Sequence, residues 1–414
     1  MNVPEIRFKE FCDYYSDVLL EKCLSVSNKK NNKLEYKKED ALSVSDEFGV
    51  VNQIEHLGRS YTGNNISTYK ILNKWQIVYT KSPLKLKPFG IIKVNNNKPG
   101  IVSVLYAIYD VKEGFDPNYI SVYFEPNFRL NKYLLPLINK GAKNTINISD
   151  ETALSGEVHI PLSYTEQQKI ASYFQSLDSL IQTISKKLAS LKQIKAASLQ
   201  SMFPQEGETV PKVRFKGFEG KWEKEKLCNI ASRITRKNKN LESFTPLTIS
   251  AIEGLVSQLT YFNNIVASSN ISGYYLIKNG EFAYNKSYSN GFPYGSIKRL
   301  DKFDMGVLST LYIVFALNKQ NTSILSDYLV IFFNTTLWHH EIAKRAEEGA
   351  RNHGLLNISA EDFLDINIIY PKDLLEQQKI ASYFCNLDKQ ISLQTQRLEK
   401  LKQIKVACLD KMFV

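Results

Sequence analysis

No stretch of the 414 residues is long and apolar enough to cross a bilayer: the longest, 311–317 and 328–333, are strand-length, against the ~20 residues a spanning helix needs. There is no Cys-x-x-Cys pair. The five cysteines (Cys12, Cys23, Cys228, Cys385 and Cys408) are scattered and odd in number, which excludes a disulfide framework and is expected of reduced thiols in a cytoplasmic protein. The opening MNVPEIRFKEF is charged from its fifth residue and has no apolar core, so no secretory signal is expected there. Catalytic signatures are missing as well. Neither GxxxxGK[ST], nor GxGxxG after a strand, nor HExxH occurs. The densest ligand-type cluster, His339-His340-Glu341, occupies consecutive positions, which diverge on a helix and do not share one metal. Asn285-Lys-Ser-Tyr288 lacks the Pro-Pro of an amino-methyltransferase loop. No catalysis and no metal site is expected of this chain.

What is present is an ordinary globular composition, with 43% hydrophobic and 23% charged residues, which excludes wholesale disorder. The length implies two to four domains. Lys and Arg number 53 against 42 Asp and Glu, so 53 − 42 gives a formal charge of +11. That balance admits a nucleic-acid partner without establishing one.

The dominant feature is an internal repeat. Glu166-Gln-Gln-Lys-Ile-Ala-Ser-Tyr-Phe174 recurs as Glu376-Gln-Gln-Lys-Ile-Ala-Ser-Tyr-Phe384, and about 22 of 38 positions match between 166–203 and 376–413 without a gap. A looser echo runs through the rest. Val3-Pro-Glu-Ile-Arg-Phe-Lys9 answers Val210-Pro-Lys-Val-Arg-Phe-Lys216, and Tyr79-Thr-Lys-Ser82 with Pro88, Gly90 and Ile92-Lys93 answers Tyr284-Asn-Lys-Ser287 with Pro293, Gly295 and Ile297-Lys298. Gly141-Ala-Lys-Asn144 followed by Asn147-Ile-Ser149 answers Gly349-Ala-Arg-Asn352 followed by Asn357-Ile-Ser359. Each half is thus a variable block followed by a repeated segment. The expected boundaries are 1–160, 161–203, a polar linker at 204–209, 210–370 and 371–414.

The two kinds of segment imply different structures. Ile170, Phe174, Leu177, Ile181, Ile184, Leu188 and Leu191 are spaced by alternating steps of four and three, the seam of a coiled coil. The second copy keeps Ile380, Phe384, Leu387, Ile391, Leu398 and Leu401, with Gln394 in place of an isoleucine. Ser163-x-x-Glu166 and Asp373-x-x-Glu376 mark the helix starts. Each helix spans roughly 55 Å and needs a partner for its apolar stripe, the other copy being the nearest. Exposed Lys186, Lys187, Lys192 and Lys195, with Gln167, Gln168, Gln377 and Gln378, are expected to leave other helix faces free for protein partners. In the variable blocks, 75–80, 101–109, 119–124 and 308–317 read as strands and 326–345 as helix. The expected fold class is α+β: two similar globular domains, an internal pseudo-two-fold repeat, and two long helices paired as an antiparallel coiled coil.

A reader of duplex DNA needs cations for phosphates and amide, hydroxyl or guanidinium groups for base edges. Lys81-Ser82 and Lys286-Ser287 precede turns closed by Gly90 and Gly295, which read as turn formers. Lys143-Asn144 and Arg351-Asn352 lie in a second shared loop. Shared groups are the candidates for gripping backbone, and differing ones for reading bases: Lys85 and Lys87 in the first half, Tyr288, Ser289 and Asn290 in the second. The competing reading makes these solvated loop residues. Two similar readers on a stiff spacer should engage two short sequences at a fixed separation, on the order of one duplex turn (~34 Å). A coiled-coil scaffold that does not read DNA, and a stand-alone nuclease or methyltransferase, are the alternatives.

With both EQQKIASYF…LD…LKQIK helices, the VPxxRFK openings, and the YxKS…P[FY]G…IK and GA[KR]N…NIS stretches, the chain resembles the specificity (S) subunit of a type I restriction–modification system over essentially its whole length. The resemblance implies that each variable block is a target recognition domain reading one half of an asymmetric bipartite sequence of double-stranded DNA. It implies that the helices, as spacer, bind two modification (methyltransferase) subunits, and that two ATP-dependent restriction subunits complete the endonuclease. S-adenosylmethionine, ATP and Mg are then expected in the partners and no cofactor in this chain. Gln394 departs from the apolar seam.

Overall fold

In the computed structural model, residues 3–138, 146–251, 253–264, 266–268, 270–289, 291–346 and 356–414 are described. The chain divides into two compact units that do not follow chain order: Met1–Lys186 with Thr395–Val414, and Lys187–Gln394. Each unit therefore holds one variable block, the first half of one long helix and the second half of the other.

The first unit is built on a four-stranded antiparallel sheet ordered Leu24–Val26, Ala107–Val111, Ile77–Tyr79, Ile92–Val94. Ile77, Val78 and Tyr79 are all buried because both faces of the sheet are covered. Ile77 and Tyr79 pack with Tyr119, Phe174 and Phe413, whereas Val78 and Ile108 pack with Leu42, Leu72 and Val102 from two flanking strand pairs. The second unit repeats the plan with Ala231–Arg233, Ile313–Leu317, Phe282–Asn285 and Ser296–Arg299.

Several expected elements change type or divide. Residues 119–124, expected as a strand, lie in the helix Pro117–Tyr123 and its C-cap; Asp116 Oδ1 accepts the Tyr119 N–H at 2.8 Å and Pro117 opens the helix. An aspartate before a proline is a helix-start signal, outweighed in the sequence by the β-branched and aromatic content that follows. The run 101–109 divides into Gly100–Val102 and Ala107–Val111, and 308–317 into Met305–Leu308 and Ile313–Leu317, each at a tight turn. The single helix expected over 326–345 is two, Ser326–Phe332 and Leu337–Arg345. The Trp338 indole N–H donates to the Phe333 carbonyl across the break at 3.2 Å.

The long helices are Tyr164–Ser201 and Leu374–Lys411. In the first unit the Tyr173 hydroxyl meets Cys408 Sγ at 3.4 Å and Lys405 Nζ donates to Asp178 at 2.6 Å. In the second, Tyr383 meets Ser198 at 3.0 Å and Lys195 donates to Asp388 at 2.5 Å. Numbers rise along one helix as they fall along the other, so the pairing is antiparallel. The same two contacts recur with the helices exchanging roles, which is the pseudo-two-fold repeat at atomic scale. Phe174, Leu177, Ile184, Leu188, Leu191, Phe384 and Leu387 are buried, while Ile181, Ile391, Leu398 and Leu401 are partly covered. Gln394 is buried within the seam.

Each helix ends inside a core. Phe413 packs among the tilted and edge-on rings of Tyr119, Tyr123 and Phe174 in the first unit, beneath the Arg129 guanidinium, which donates to the Leu409 carbonyl at 2.7 Å. Phe203 packs against Trp222, Tyr328 and Phe384 in the second.

Candidate nucleic-acid interface

The YxKS…P[FY]G stretch forms a tight hairpin in each unit. Leu84 and Lys87 exchange backbone hydrogen bonds of 2.9 and 3.0 Å, leaving Lys85 and Leu86 at the tip; Ser289 and Phe292 do the same at 3.4 and 2.8 Å. Gly90 (φ +83°) and Gly295 (φ +77°) close the loops in the left-handed region, and a Cβ on Gly295 would lie 2.0 Å from the Asn285 carbonyl oxygen. These two glycines act as turn formers, as their spacing implied.

The structure joins this hairpin to the NIS stretch that the sequence singled out separately. Lys81 Nζ lies 3.5 Å from the Ile148 carbonyl, and Lys286 Nζ lies 3.2 Å from that of Ile358. The charges beside these contacts differ between units. Lys81 is paired with Asp150 at 2.5 Å, and Lys70 with the same carboxylate at 2.8 Å. Although burial works to raise it, Asp150 is held below the usual carboxylate range by hydrogen bonds from both lysines. In the second unit Ala360 occupies the position of Asp150. The Lys286 ammonium is pushed below the usual lysine range by burial and by nearby Arg233.

The remaining candidates sort by exposure. Lys87 donates to the Glu125 carbonyl at 2.7 Å and pairs with Asp46 at 3.2 Å, so it and Lys81 hold their charge within the unit rather than standing as free loop cations. Ser82 donates to the Thr80 carbonyl at 3.2 Å, and the Ser287 backbone N–H donates to Asn285 at 3.0 Å. Lys85, Tyr288 and Ser289 are exposed. Lys143, Asn144, Asn290, Arg351 and Asn352 lie outside the described residues.

Some functional-looking residues went unread in the sequence. Lys93 and Lys298, the lysines of the repeated Ile-Lys motif, stand on strands under the long helices. Burial holds both below the usual lysine range, Lys298 at about 8. Their signal was a lysine kept inside an apolar strand in both halves. Arg7 grips Glu166 through two bonds of 2.7 and 2.8 Å, and Arg214 grips Glu376 through two of 2.7 Å. The Glu166 carboxylate thus serves an ion pair and not the reciprocal cap that its spacing implied, although the Glu166 N–H does lie 3.3 Å from Ser163 Oγ.

Gln167 and Gln377, expected on a free helix face, are fully buried. Gln167 accepts the Asp116 N–H and donates to the Pro161 carbonyl, and Gln377 accepts the Leu325 N–H. Lys195, expected to be exposed, is the half-buried partner of Asp388. His339 meets the Trp338 ring edge to face, His340 meets Glu206 and Glu341 meets Arg345. Among the described residues there is no cluster of metal-binding side chains, and no helix is long and apolar enough to cross a membrane.

Neither a family model nor a curated protein matches the sequence. Solved structures do match. The S subunit of a type I restriction–modification system from M. genitalium is 12% identical and aligns over 100% of this chain and 99% of its own, with a TM-score of 0.60. The chain has the type I S-subunit fold. Also similar are a chain from a study of assembly and conformational transition in the type I system (13% identity, 96% and 97% covered, TM-score 0.45) and the HsdS subunit of Thermoanaerobacter tengcongensis (13%, 96% and 96%, 0.43). The S-subunit fold accounts for both long helices and both variable blocks in one full-length alignment.

Proposed function

We propose that this chain is the non-catalytic specificity subunit of a type I restriction–modification complex, reading an asymmetric bipartite target in double-stranded DNA with one half-site per unit. The single observation that carries the reading is one loop scaffold, built twice and tipped differently. Both units keep the lysine on the Ile carbonyl and the left-handed glycine, while the tips carry Lys85-Leu86 in one and the segment between Ser289 and Phe292 in the other. Shared framework with divergent tips is what two readers of different sequences require.

The proposed docking of two modification subunits draws on the doubled faces at the helix starts. Lys169 lies over Phe8 at 5.0 Å beside Tyr173, and Lys379 over Phe218 at 4.9 Å beside Phe215 and Tyr383. The corresponding Phe8–Tyr173 and Phe215–Tyr383 contacts, each beside a lysine, fit two copies of one partner. In this reading the methyl donor, ATP, Mg and the restriction subunits all belong to the rest of the complex.

The test is the adenine methylation pattern of the genome with and without this chain. A bipartite motif should vanish on deletion, and Ser289→Ala should relax preference in one half of it. A pattern unchanged by deletion would sink the proposal. Duplex affinity of the assembled complex should also fall steeply with salt, and an absence of duplex binding at any salt would favour a scaffold instead.

A further inference from the structure

Trp75 occupies a left-handed backbone position at φ +70°, a conformation in which a bulky side chain is a genuine outlier. The second unit makes the same turn with glycine. The Trp75 N–H donates to the Asn95 carbonyl and the Gly280 N–H to that of Leu300, both at 2.8 Å, and Gly280 has φ +84°. Strain of this kind persists where a side chain has work to do, and packing is not that work, because Trp75 is 47% exposed.

The ring instead lines a cavity of about 520 Å³ together with Phe115, Tyr164, Gln168, Asp110 and Asp116, a size typical of small-ligand sites. Three aromatic side chains and two carboxylates meet there, and among the described residues neither carboxylate is in an ion pair. Asp110 accepts from the neutral Gln76 amide at 2.7 Å, and Asp116 from the Tyr119 backbone N–H at 2.8 Å. Lys74 Nζ already lies 4.7 Å from the Trp75 ring centre, so the ring attracts an ammonium in its own structure. Its aromatic faces and negative charge suit a cation. In the second unit the corresponding positions carry Gly280, Ile324, Leu374, Ala316 and Leu325, so that every aromatic and both carboxylates are gone.

We propose that this cavity binds one arginine or lysine side chain of a protein partner, once per chain. It adjoins the start of the first long helix through Tyr164 and Gln168, so a partner seated on that helix face reaches it and a partner on the second face finds no counterpart.

The test titrates the full chain with N-acetyl-arginine methylamide, N-acetyl-lysine methylamide and the neutral N-acetyl-norleucine methylamide, following tryptophan emission. Trp222 and Trp338 are buried, so Trp75 dominates the response. Saturable quenching in the millimolar range is expected from at least one cationic probe and not from the neutral one. Asp110→Ala and Tyr164→Leu should each raise the half-saturation about tenfold, and Lys74→Ala should lower it. Trp75→Gly, which restores the residue used in the other unit, should abolish the heat of binding in calorimetry while the chain stays folded. No saturable response, an equal response to the neutral probe, or indifference to Asp110→Ala and Tyr164→Leu would overturn the inference.

Discussion

At the residue scale, two buried charged groups per unit carry most of the testable electrostatics. Glu166 and Glu376 are almost wholly enclosed, each held by two hydrogen bonds from one guanidinium. Removing one partner strands a buried charge, which costs about 3–5 kcal/mol. Arg7→Ala should therefore lower stability by that order in urea melts, whereas Arg7→Met paired with Glu166→Leu should recover most of the loss. A double variant no better than the single would show that the pair has no such coupling.

Lys298 works in the opposite sense. Burial, reinforced by Lys195 and partly offset by Asp388, holds its pKa at about 8, below the unfolded value near 10.4. The folded state carries a penalty for the charged form, complete below pH 8 and relieved as pH rises towards 10.5, because there the unfolded chain binds more protons. Lys298→Met should accordingly stabilise the protein by on the order of 2 kcal/mol at pH 7, and the gain should shrink to nothing by about pH 10.5. A pH-independent gain would assign the effect to packing. The sequence showed this lysine only as one position of a repeated motif. Its burial was illegible, because which way a strand residue faces depends on the helices laid over it.

At the element scale, the helix pair was readable because a seam of apolar residues at steps of three and four has one geometric solution. The variable blocks were harder. Residues 119–124 are as apolar and β-branched as a strand, yet the Asp116 cap and Gln167 bind the backbone into a helix start. Tertiary hydrogen bonds from the long helix outweighed local preference there. Gln394 is the one polar residue in an otherwise apolar seam and is buried, so Gln394→Leu should raise stability by about 1 kcal/mol through added apolar burial and avoided desolvation. A drop in melting temperature on this change would instead mean that Gln394 sets the register of the pair.

At the scale of the whole molecule, each compact unit is completed by the end of a helix that begins in the other. Phe413 and Phe203 are the residues that close the two cores. Phe413→Ala should destabilise the first unit by about 3–5 kcal/mol and leave amide-exchange protection of the second unit's sheet unchanged. Equal loss of protection in both sheets would show that the units unfold together.

The amino-acid order alone determined the duplication, the length and seam of the two helices, the α+β character of each half and the loops that recur. These follow from periodicity and from repetition, which need no knowledge of distant contacts. Only the tertiary structure decided that the hairpin and the NIS stretch share a site, that Asp150 neutralises two lysines in one half alone, and that helix ends are exchanged between cores. Those outcomes depend on which groups far apart in the chain become neighbours, from Lys81 and Ile148 to Tyr119 and Phe413, and such neighbours leave no local pattern behind.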